Sequence, residues 1–546
     1  MATLSDQTEV LIVGAGPTGL TLAAALQKLG VRFRLIEQKP SLSETSRATN
    51  LMQGTQEQLA SYDLLAPILP EAGKMSRMMM YGYGTNLGPR TMHLPESRFP
   101  DILLYGQDRI EASLAKSLTI SGGTIEFGTK LVSLKQDEEG VWANFEKDGQ
   151  PSTVQAMYVV GCDGPWSITR TFTACNFTPH KTGRAIRQVD AKLSWKRLSS
   201  MEQMWLFYFA DGFAVVVPLL DGYTRVITIE PKENMPARNP TLTEMRDKLR
   251  NVTGDKSIEL TNHKWLSYTE LSMGIAPALR DKRILLAGDA GNPILPNGGQ
   301  GLNTGIQDSL NLGWKLAAVI HGQAKDDLLT TYQQERLPLR QALEKVQWNS
   351  LKYTTKTTGF MRFLIRKLGN ALLDRGGEYQ MAKAFSQLGV HYKKSPLTLE
   401  TMKKGRVKAG ERPINANVVE ASTLNEVQLT DLLALPTWKL VCFNLSENDV
   451  QAVKSSMNTL AKKTKLDFIP MVITTSTRNE PDTSHLYYDI DEIAHKAYDI
   501  TKPTMLLIRP DQYVAVRTDK TNWATLNAYA LRWFYADPPQ YHGEEN

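Results

Sequence analysis

The stretch EVLIVGAGPTGLTLAAALQKLGVRFRLIE, residues 9–37, decides the fold of this chain. Glu9–Val13 is a short apolar run, as expected for a parallel strand that is buried on both faces. Residues 20–29 are rich in Ala and Leu and predict a helix, and Gly30 stands where a glycine commonly ends one. The alternating residues 31–37 predict a second strand. This order of strand, glycine turn, helix and strand is a βαβ unit of about 30 residues.

Between the first strand and the helix lies the turn Gly14-x-Gly16-x-x-Gly19. In this context the first glycine permits a tight turn, the second lets the backbone approach a pyrophosphate, and the third lets the helix pack on the strand. Glu37 ends the second strand and is placed to accept hydrogen bonds from ribose hydroxyls, which favours a free 2′-hydroxyl. The pattern therefore predicts a dinucleotide site. The alternative is a glycine turn that binds nothing.

A second glycine-rich stretch, PNGGQGLNTG, occupies residues 296–305. Four glycines in eight residues are costly in an ordinary helix, so they suggest a backbone that presses against a flat ligand. A helix that begins near Gly301 would direct its positive end at that ligand, where a reduced flavin carries negative charge. Asp289 follows the predicted strand Arg283–Ala287 and is placed to bind a ribityl hydroxyl. The alternative is a loop that only shapes a turn.

Composition and charge exclude several classes of protein. The 546 residues include three cysteines and no Cys-x-x-Cys pair, which excludes a disulfide scaffold and a zinc ribbon and fits a reducing compartment. The net charge is +6, but residues 331–412 alone hold 17 Lys and Arg against 6 Asp and Glu, so the rest of the chain is negative. Aromatic residues are not interleaved with these cations in a stacking pattern, and we expect no nucleic-acid partner.

One uncharged run, residues 10–26, reaches the lower edge of the length that a membrane helix needs. Its glycines and Pro17 lie near its middle, which favours a strand, a turn and a helix. The first ten residues lack the basic and apolar regions of a signal peptide. We therefore expect a soluble, cytoplasmic protein with no integral membrane segment.

Three motifs together resemble those of the single-component flavoprotein aromatic hydroxylases, in the branch of phenol hydroxylase and the polyketide hydroxylases. The first is the turn at residues 14–19 with Glu37. The second is CDGPWSITR, residues 162–170, which is similar to the Asp-Gly motif of that family. The third runs through residues 288–316, from Gly-Asp to QDSLNLGWKL. The resemblance covers residues 1–345 well and the C-terminal part more loosely.

The resemblance implies a role for each residue that matches a family motif. The residues implied to bind FAD are Gly14, Gly16, Pro17, Thr18, Gly19, Glu37, Gln38, Arg47, Gln107, Asp163, Asp289, Gly298, Gly299, Gly301, Leu302 and Asn303. Pro296 and Arg47 are implied to act in catalysis, through a proline carbonyl near the site of oxygen reaction and an arginine beside the flavin or nicotinamide. No metal site is expected.

The substrate pocket is less well specified by the sequence. Residues 204–213, MWLFYFADGF, are aromatic-rich and either line an apolar pocket over the flavin or form sheet core. We predict Arg225 as a catalytic-site contact and add Tyr81 as a polar contact. Where the family usually has histidine, this chain has Asn292, which cannot titrate, so a proton relay at that position is in doubt.

The predicted fold is α/β, with a Rossmann-like FAD-binding domain, an inserted and mostly antiparallel substrate domain, and a C-terminal thioredoxin-like domain. The predicted boundaries are 1–75, 106–180 and 281–345 for the FAD-binding domain; 76–105 and 181–280 for the substrate-binding domain; 346–412 for a helical connector; and 413–546 for the thioredoxin-like domain.

The function implied by the resemblance is an FAD-dependent monooxygenase. It would use NAD(P)H and O₂ to hydroxylate a phenolic or polycyclic aromatic compound through a flavin C4a-hydroperoxide. Only one complete Gly-x-Gly-x-x-Gly occurs, so a separate domain for NAD(P)H is not visible. Two alternatives stay open at this point: Baeyer–Villiger oxidation or epoxidation by the same intermediate, and a non-catalytic binding protein with the same fold. The sequence leaves open whether the chain is a homodimer.

Overall fold

A computed structural model describes residues 6–46, 48–197, 202–355, 377–477, 484–519 and 522–535. The described helices are α1 (Pro17–Lys28), α2 (Gln53–Ala60), α3 (Gln107–Ile120), α4 (Ile168–Thr171), α5 (Leu242–Thr253), α6 (Gln300–Ile320), α7 (Asp327–Thr355), α8 (Gly377–Ser386), α9 (Leu429–Leu432), α10 (Glu447–Thr464), α11 (Ile493–Tyr498) and α12 (Trp523–Trp533). Short 3₁₀ helices occupy Lys232–Asn234, Gly288–Ala290 and Asn297–Gly299.

The described strands form four sheets. In chain order they are β1 (Asp6–Val13), β2 (Phe33–Ile36), β3 (Asn50–Leu51), β4 (Gly73–Met75), β5 (Arg77–Gly82), β6 (Thr85–Thr91), β7 (Ile102–Leu104), β8 (Thr129–Gln136), β9 (Val141–Lys147), β10 (Gln150–Gly161), β11 (His180–Ser194), β12 (Gln203–Phe209), β13 (Gly212–Pro218), β14 (Thr224–Pro231), β15 (Glu259–Met273), β16 (Arg280–Asp281), β17 (Ile284–Leu286), β18 (Leu399–Glu400), β19 (Asn417–Glu420), β20 (Glu426–Gln428), β21 (Trp438–Phe443), β22 (Phe468–Thr474), β23 (Leu486–Tyr488), β24 (Thr504–Ile508) and β25 (Val514–Asp519).

The first sheet contains the predicted βαβ unit. Strands β2, β1, β10 and β17 lie side by side and are all parallel, and β16 pairs with β17 at the edge. Helices α1, α3 and α6 pack together, and their apolar residues share one core with β1 and β10. Gly30 has a φ of +72° directly after α1, as expected for the glycine that ends a helix. The Rossmann-like arrangement is confirmed.

The second sheet has the order β15-β11-β14-β13-β12-β5-β6. All of its pairs are antiparallel except β12 with β5. Helix α5 covers one face, with Met245 and Leu249 in the core beneath it, and begins with a capping box between Thr241 and Glu244. The prediction of a mostly antiparallel insert is confirmed.

The third sheet belongs to the C-terminal part, with the order β18-β25-β24-β21-β22-β23-β19-β20. β21 and β22 are parallel and are joined through α10, and β24 and β25 form an antiparallel pair beside β21. This unit packs on α6, where the rings of Trp314 and Trp438 meet edge to face at 5.6 Å. Its assignment as thioredoxin-like stays a prediction, as do the domain boundaries.

The predicted connector is helical in part. Helix α7 continues to Thr355, α8 covers Gly377–Ser386, and residues 387–398 contain no further helix. A fourth, small antiparallel sheet has the order β3-β7-β4. None of the helices in the described ranges is long and apolar enough to cross a membrane.

Candidate functional site

The three predicted motifs meet at one edge of the first sheet. The parallel strands β1, β2, β10 and β17 all point their carboxyl ends to this edge. The chain leaves them at Gly14, Glu37, Cys162 and Ala287. In open α/β sheets, ligands bind in the crevice outside the carboxyl ends of the strands. The predicted residues on these loops are therefore brought to one place.

The first glycine turn leaves room for a ligand at one position only. Gly14 has a φ of +102°, and a Cβ atom there would lie 2.7 Å from the carbonyl oxygen of Cys162. A Cβ atom on Gly19 would overlap the carbonyl oxygen of Gly14. Around Gly16, in contrast, no atom beyond its two chain neighbours lies within 4 Å of the Cβ position. Helix α1 begins at Pro17 without a side-chain cap, so the geometry fits a pyrophosphate above Gly16.

Glu37, at the end of the neighbouring strand β2, stabilises this turn by hydrogen bonds. Its Oε2 atom accepts the backbone N–H of Ala15 at 2.9 Å, and its Oε1 atom accepts that of Lys39 at 3.0 Å. Gln38 is exposed beside it. A carboxylate in this place has remaining lone pairs for the hydroxyls of a ribose.

Gln107 begins α3, close to the loop that holds Ser46. Its backbone N–H donates to the Ser46 hydroxyl at 2.8 Å, and its side-chain amide donates to Glu111 at 2.8 Å. Burial raises the pKa of the Glu111 carboxyl above its ordinary value. Arg47, predicted both to bind the cofactor and to act in catalysis, lies outside the described residues.

Asp163 fixes its own loop. Its carboxylate accepts the hydroxyl of Ser167 at 2.5 Å and both the backbone N–H and the hydroxyl of Thr169 at 2.9 Å. Burial raises the pKa of the Asp163 carboxyl. Arg170, at the end of the same motif, donates to the carbonyl of Ala290 at 2.7 Å. The second motif thus supports the turn of the third, a link that the sequence does not show.

Buried charged side chains stabilise the turn that contains Asp289. Gly288 has a φ of +59°, its N–H donates to the carboxylate of Asp308 at 3.0 Å, and its carbonyl accepts from Arg340 at 3.1 Å. Asp308 forms ion pairs with Arg340 and with Arg336, the latter at 2.6 Å, and all three side chains are buried. The sequence does not indicate this cluster, because Asp308 on α6 is 28 and 32 residues away from its two arginine partners on α7.

The second glycine loop has the left-handed backbone that only glycine adopts without strain. Gly298 and Gly299 have φ values of +78° and +66°, and α6 follows without a side-chain cap. The side-chain amide of Asn303 is fully engaged: it donates to the carbonyls of Asn50 and Gly299, both at 2.9 Å, and accepts the N–H of Met52 at 2.8 Å. Asn303 therefore positions the start of α6 rather than offering its own amide to a ligand.

The remaining predicted residues of this loop lie beside it. Pro296 is exposed, and its carbonyl accepts the N–H of Gly299 at 3.1 Å. Leu302 packs against the core of the first sheet, and a Cβ atom on Gly301 would meet Ile294 at 3.6 Å. The hydroxyl of Thr18 fills the space where a side chain at Gly288 would lie. Thr18 thus joins α1 to the third motif.

Helix α8 supplies residues that sequence reasoning missed. The ring of Phe385 lies 2.9 Å from the Cβ position of Gly298. The amide of Gln387, just after the helix, donates to Gln300, and its oxygen accepts the hydroxyl of Thr55 at 3.3 Å. A glutamine network of this kind has no local sequence pattern. The connector is therefore part of the site wall and not only a link between domains.

The second sheet turns one face toward this loop. Side chains on that face share one apolar cluster with residues of the loop and of α8; the cluster contains Met52, Met75, Met78, Met80, Leu87, Met92, Leu94, Ile102, Leu104, Ile186, Leu206, Phe213, Val217, Ile229, Leu271, Met273, Leu295 and Ala382. Of the stretch 204–213, Leu206 is on this face, whereas Trp205 and Phe207 lie on the face covered by α5. Alternate residues of that stretch thus belong to two different apolar clusters, and the lining of a pocket over the flavin stays a prediction.

Tyr81 lies away from the site. It stacks on Phe207 with ring centroids 4.9 Å apart, on the face that α5 covers. The expected polar contact from Tyr81 is wrong, because the strand register sends every second side chain to the other face.

Arg225 is on the site-facing side of the sheet. It shares that side with Ile227 and Ile229, which alternate with it along β14. Its Nε and Nη2 atoms donate to the two carboxylate oxygens of Asp190 at 2.7 and 2.6 Å. Both side chains are buried, and the Trp265 ring lies 5.3 Å from the guanidinium.

Asn292, at the position of the usual histidine, is buried in the third motif. Its side-chain N–H donates to the carbonyl of Gly274, and its Oδ1 atom has no partner among the described residues. The amide therefore keeps a hydrogen bond but offers no titrating group. Within the described ranges, no cluster of three or more His, Cys, Asp or Glu side chains could hold a metal ion.

The fold and these loops define the class of protein: a flavin-dependent oxidoreductase with a dinucleotide turn, a left-handed glycine loop and an apolar sheet face over it. The FAD binding domain family matches residues 7–347. The chain belongs to that family.

Two relatives from different organisms have names that agree with this class of protein. The chain is 34% identical over 337 residues to rifampicin monooxygenase of Streptomyces venezuelae, covering 61% of this chain and 68% of the relative. It is 27% identical over 530 residues to pentachlorophenol 4-monooxygenase of Sphingobium chlorophenolicum, covering 94% of each. The chain is an FAD-dependent monooxygenase of the aromatic hydroxylase type, as the three motifs predicted.

Solved structures support the fold over nearly the whole chain. The anhydrotetracycline hydroxylase OxyS of Streptomyces rimosus matches with a TM-score of 0.72 and 25% identity, covering 98% of this chain and all of that one. The flavin-dependent monooxygenase PieE, solved with FAD and substrate, matches with a TM-score of 0.79 and 21% identity, covering 97% and 99%. The second match concerns the fold alone.

Proposed function

We propose that this protein uses NAD(P)H and O₂ to hydroxylate a phenolic or polycyclic aromatic compound, with FAD bound across the two glycine loops. The observation that carries the proposal is one apolar cluster that joins Met52 and Leu295, beside the second glycine loop, to the facing side of the second sheet. An aromatic ring held against that side would lie next to the flavin. Names of relatives such as pentachlorophenol 4-monooxygenase agree with an aromatic substrate of this kind.

The first glycine turn would hold the ADP half of FAD. The open position above Gly16 and the uncapped start of α1 suit the pyrophosphate, and the carboxylate of Glu37 suits the ribose. The second loop would hold the flavin ring. A side chain at Gly298 would collide with Phe385, so glycine there keeps the loop in its left-handed conformation beside that ring. Asp289 stands on the turn that would meet the ribityl chain.

FAD, when bound, supplies the two-electron chemistry by which NAD(P)H and O₂ are used. The residues of the chain bind, orient and exclude water. Asp308 and its two arginines fix the Gly288 turn, Asn303 fixes the start of α6, and Phe385 closes one side of the loop. Apolar side chains on the sheet would keep water from the reacting carbon, which suppresses side reactions.

We propose NAD(P)H as the electron donor, as the resemblance to the flavoprotein aromatic hydroxylases implies. The chain has one complete dinucleotide turn, which FAD would occupy. The nicotinamide would then bind transiently at the surface. Three buried, unpaired cysteines, Cys162, Cys175 and Cys442, fit a reducing compartment such as the cytoplasm.

The test uses the purified full-length chain. We expect a yellow protein with the visible absorption of bound FAD, and NAD(P)H consumption that one class of phenol, naphthol or anthraquinone stimulates, with a hydroxylated product found by mass spectrometry. Gly16→Ala should lose the colour, and Gly389→Ala, at an exposed glycine with open surroundings, should keep it. A colourless protein that FAD does not reconstitute would overturn the proposal.

A further inference from the structure

Three buried glutamine side chains connect the end of helix α8 to the second glycine loop. Gln300 begins α6, Gln307 lies two turns further along the same helix, and Gln387 follows α8. Nε2 of Gln387 donates to Oε1 of Gln300, and Oε1 of Gln387 accepts from Nε2 of Gln307. The three amides therefore form one continuous chain of hydrogen bonds.

Two backbone carbonyls fix the direction of this chain. Nε2 of Gln300 donates to the carbonyl of Gly298 at 3.3 Å and to that of Phe385 at 3.2 Å. Since a carbonyl can only accept, the amide nitrogen of Gln300 must face these two oxygens and its own oxygen must face Gln387. Gln387 is therefore the donor that orients the amide of Gln300.

The surroundings of Gln387 hold this donor in a fixed position. Its φ is +60°, a left-handed value that residues other than glycine adopt where neighbouring contacts impose it. Helix α2 lies directly against its backbone, because a Cβ atom on Gly54 would be 2.9 Å from the carbonyl oxygen of Gln387. Its side-chain oxygen also accepts the hydroxyl of Thr55, on the same helix, at 3.3 Å.

Three carbonyls of the second glycine loop accept hydrogen bonds from the chain itself. The carbonyl of Pro296 accepts the N–H of Gly299 at 3.1 Å, and the carbonyl of Gly299 accepts the amide of Asn303 at 2.9 Å. The carbonyl of Gly298 accepts the amide of Gln300. Since the first turn of α6 has no side-chain cap, its N–H groups are left for a ligand, and this polarity favours a negatively charged one.

The peptide between Gly298 and Gly299 depends on these bonds for its orientation. Both residues are left-handed glycines, so no Cβ atom resists rotation of the peptide that joins them. Its N–H is held by Pro296 and its carbonyl by Gln300. Without the bond from Gln300, the carbonyl would be free to turn toward the ligand and to oppose a negative charge there.

We propose that Gln387 is a positioning residue for the flavin: by donating to Gln300, it keeps the Gly298 carbonyl turned toward α8 and away from the flavin. The N–H groups at the start of α6 then face the ring and stabilise its reduced, negatively charged form. This proposal rests on the proposed function, because it requires FAD across the two glycine loops. Gln387 lies beyond residues 7–347, which the FAD binding domain family matches, so the connector adds this control to the domain.

The test measures the midpoint potential of FAD bound to the full-length wild type and to variants. Gln387→Leu and Gln300→Leu each remove one amide, and each should lower the affinity for reduced FAD, relative to oxidised FAD, by about two- to tenfold, the range for one neutral hydrogen bond. A tenfold change in this ratio corresponds to about 30 mV for a two-electron couple. Because Gln387 acts through Gln300, the double variant should shift the potential no further than Gln300→Leu alone.

Two further variants separate positioning from a general loss of stability. Gln387→Asn suits the left-handed backbone but is one methylene too short to reach Gln300, so it should shift the potential as Gln387→Leu does. Gln53→Leu is the matched control, because Gln53 is also buried and donates to two backbone carbonyls, those of Met92 and Pro100, outside the loop. It should lower the stability and leave the potential at the wild-type value.

Hydrogen exchange in the FAD-free proteins follows the loop without the cofactor. Gln387→Leu and Gln387→Asn should speed the exchange of the peptide that covers residues 296–304, which contains the bonded N–H of Gly299, and Gln53→Leu should not.

The outcomes separate this proposal from the proposed function. Wild-type potentials in both Gln387 variants, or an additive shift in the double variant, overturn the positioning role even if the protein is yellow and consumes NAD(P)H. If no form of the protein binds FAD, the proposed function fails. Faster exchange of residues 296–304 in the Gln387 variants would then still support the hold of Gln387 on the loop, and unchanged exchange would overturn it.

Discussion

Gly16 and Gly19 make the clearest contrast in the first glycine turn, because one faces open space and the other faces backbone. A methyl group on Gly16 meets no atom beyond its two chain neighbours within 4 Å, whereas one on Gly19 overlaps the carbonyl oxygen of Gly14. We predict that Gly16→Ala leaves the FAD-free protein as stable as wild type and specifically weakens FAD. Gly19→Ala should instead destabilise the FAD-free protein itself.

The size of the Gly16 effect follows from the contact that the methyl group would block. A hydrogen bond between the backbone and a charged phosphate is worth about 1.5–3 kcal/mol. Losing one such bond raises the FAD dissociation constant by about 10- to 150-fold. Gly19→Ala forces α1 away from β1, and overpacking of this kind commonly costs about 1–3 kcal/mol of unfolding free energy.

The assay has two parts. Urea unfolding of the FAD-free proteins measures stability, and quenching of FAD fluorescence on binding measures affinity. Gly389→Ala is the matched control, since its nearest neighbour is the flexible side chain of Lys383 at 4.0 Å. An FAD dissociation constant for Gly16→Ala within twofold of wild type would refute the assignment of the open position to the pyrophosphate.

Three further predictions concern the supporting residues. Asp308→Asn leaves Arg336 and Arg340 buried without a counter-charge, so the free energy of unfolding should fall by about 3–5 kcal/mol in urea; a loss below about 1 kcal/mol contradicts the structural role. Burial lowers the pKa of Lys439 to about 7 from its ordinary 10.5. The unfolded chain then binds more protons between those values, so the stability of wild type should rise with pH across that window. Burial also lowers the pKa of Lys315 to about 8, so the Lys439→Met variant should show a smaller rise rather than none. Phe385→Ala should raise the KM for the aromatic substrate about five- to tenfold, because the substitution removes about half of the free energy gained by burying a phenylalanine side chain. An unchanged KM would show that Phe385 is not part of the wall of the site.

Local patterns in the sequence predicted the first unit well. The strand at Glu9–Val13 is part of β1, the predicted helix ends next to Gly30, and both glycine loops have the backbone conformations that their composition indicated. These features depend on neighbours within a few residues. Periodicity and glycine placement report such local constraints directly.

Features that depend on distant parts of the chain were not predictable. The Asp308 cluster, the contact of Phe385 with Gly298 and the pairing of Arg225 with Asp190 join residues that are 28 to 87 positions apart. The prediction for Tyr81 failed for the same reason, because strand register, and not local composition, decides on which face of the sheet a side chain lies. Arg225 lies on the side of the sheet that carries the apolar cluster, and its role in the site stays a prediction; its carboxylate partner became visible only in the fold.

We expect this chain to insert one atom of O₂ into an aromatic compound with FAD bound across its two glycine loops. The most direct measurement is a turnover under heavy-isotope O₂ with NAD(P)H and the stimulating aromatic compound, followed by mass spectrometry of the product. We expect a hydroxylated product that contains one heavy oxygen atom. A product without the label, with the consumed O₂ recovered as hydrogen peroxide, would contradict it.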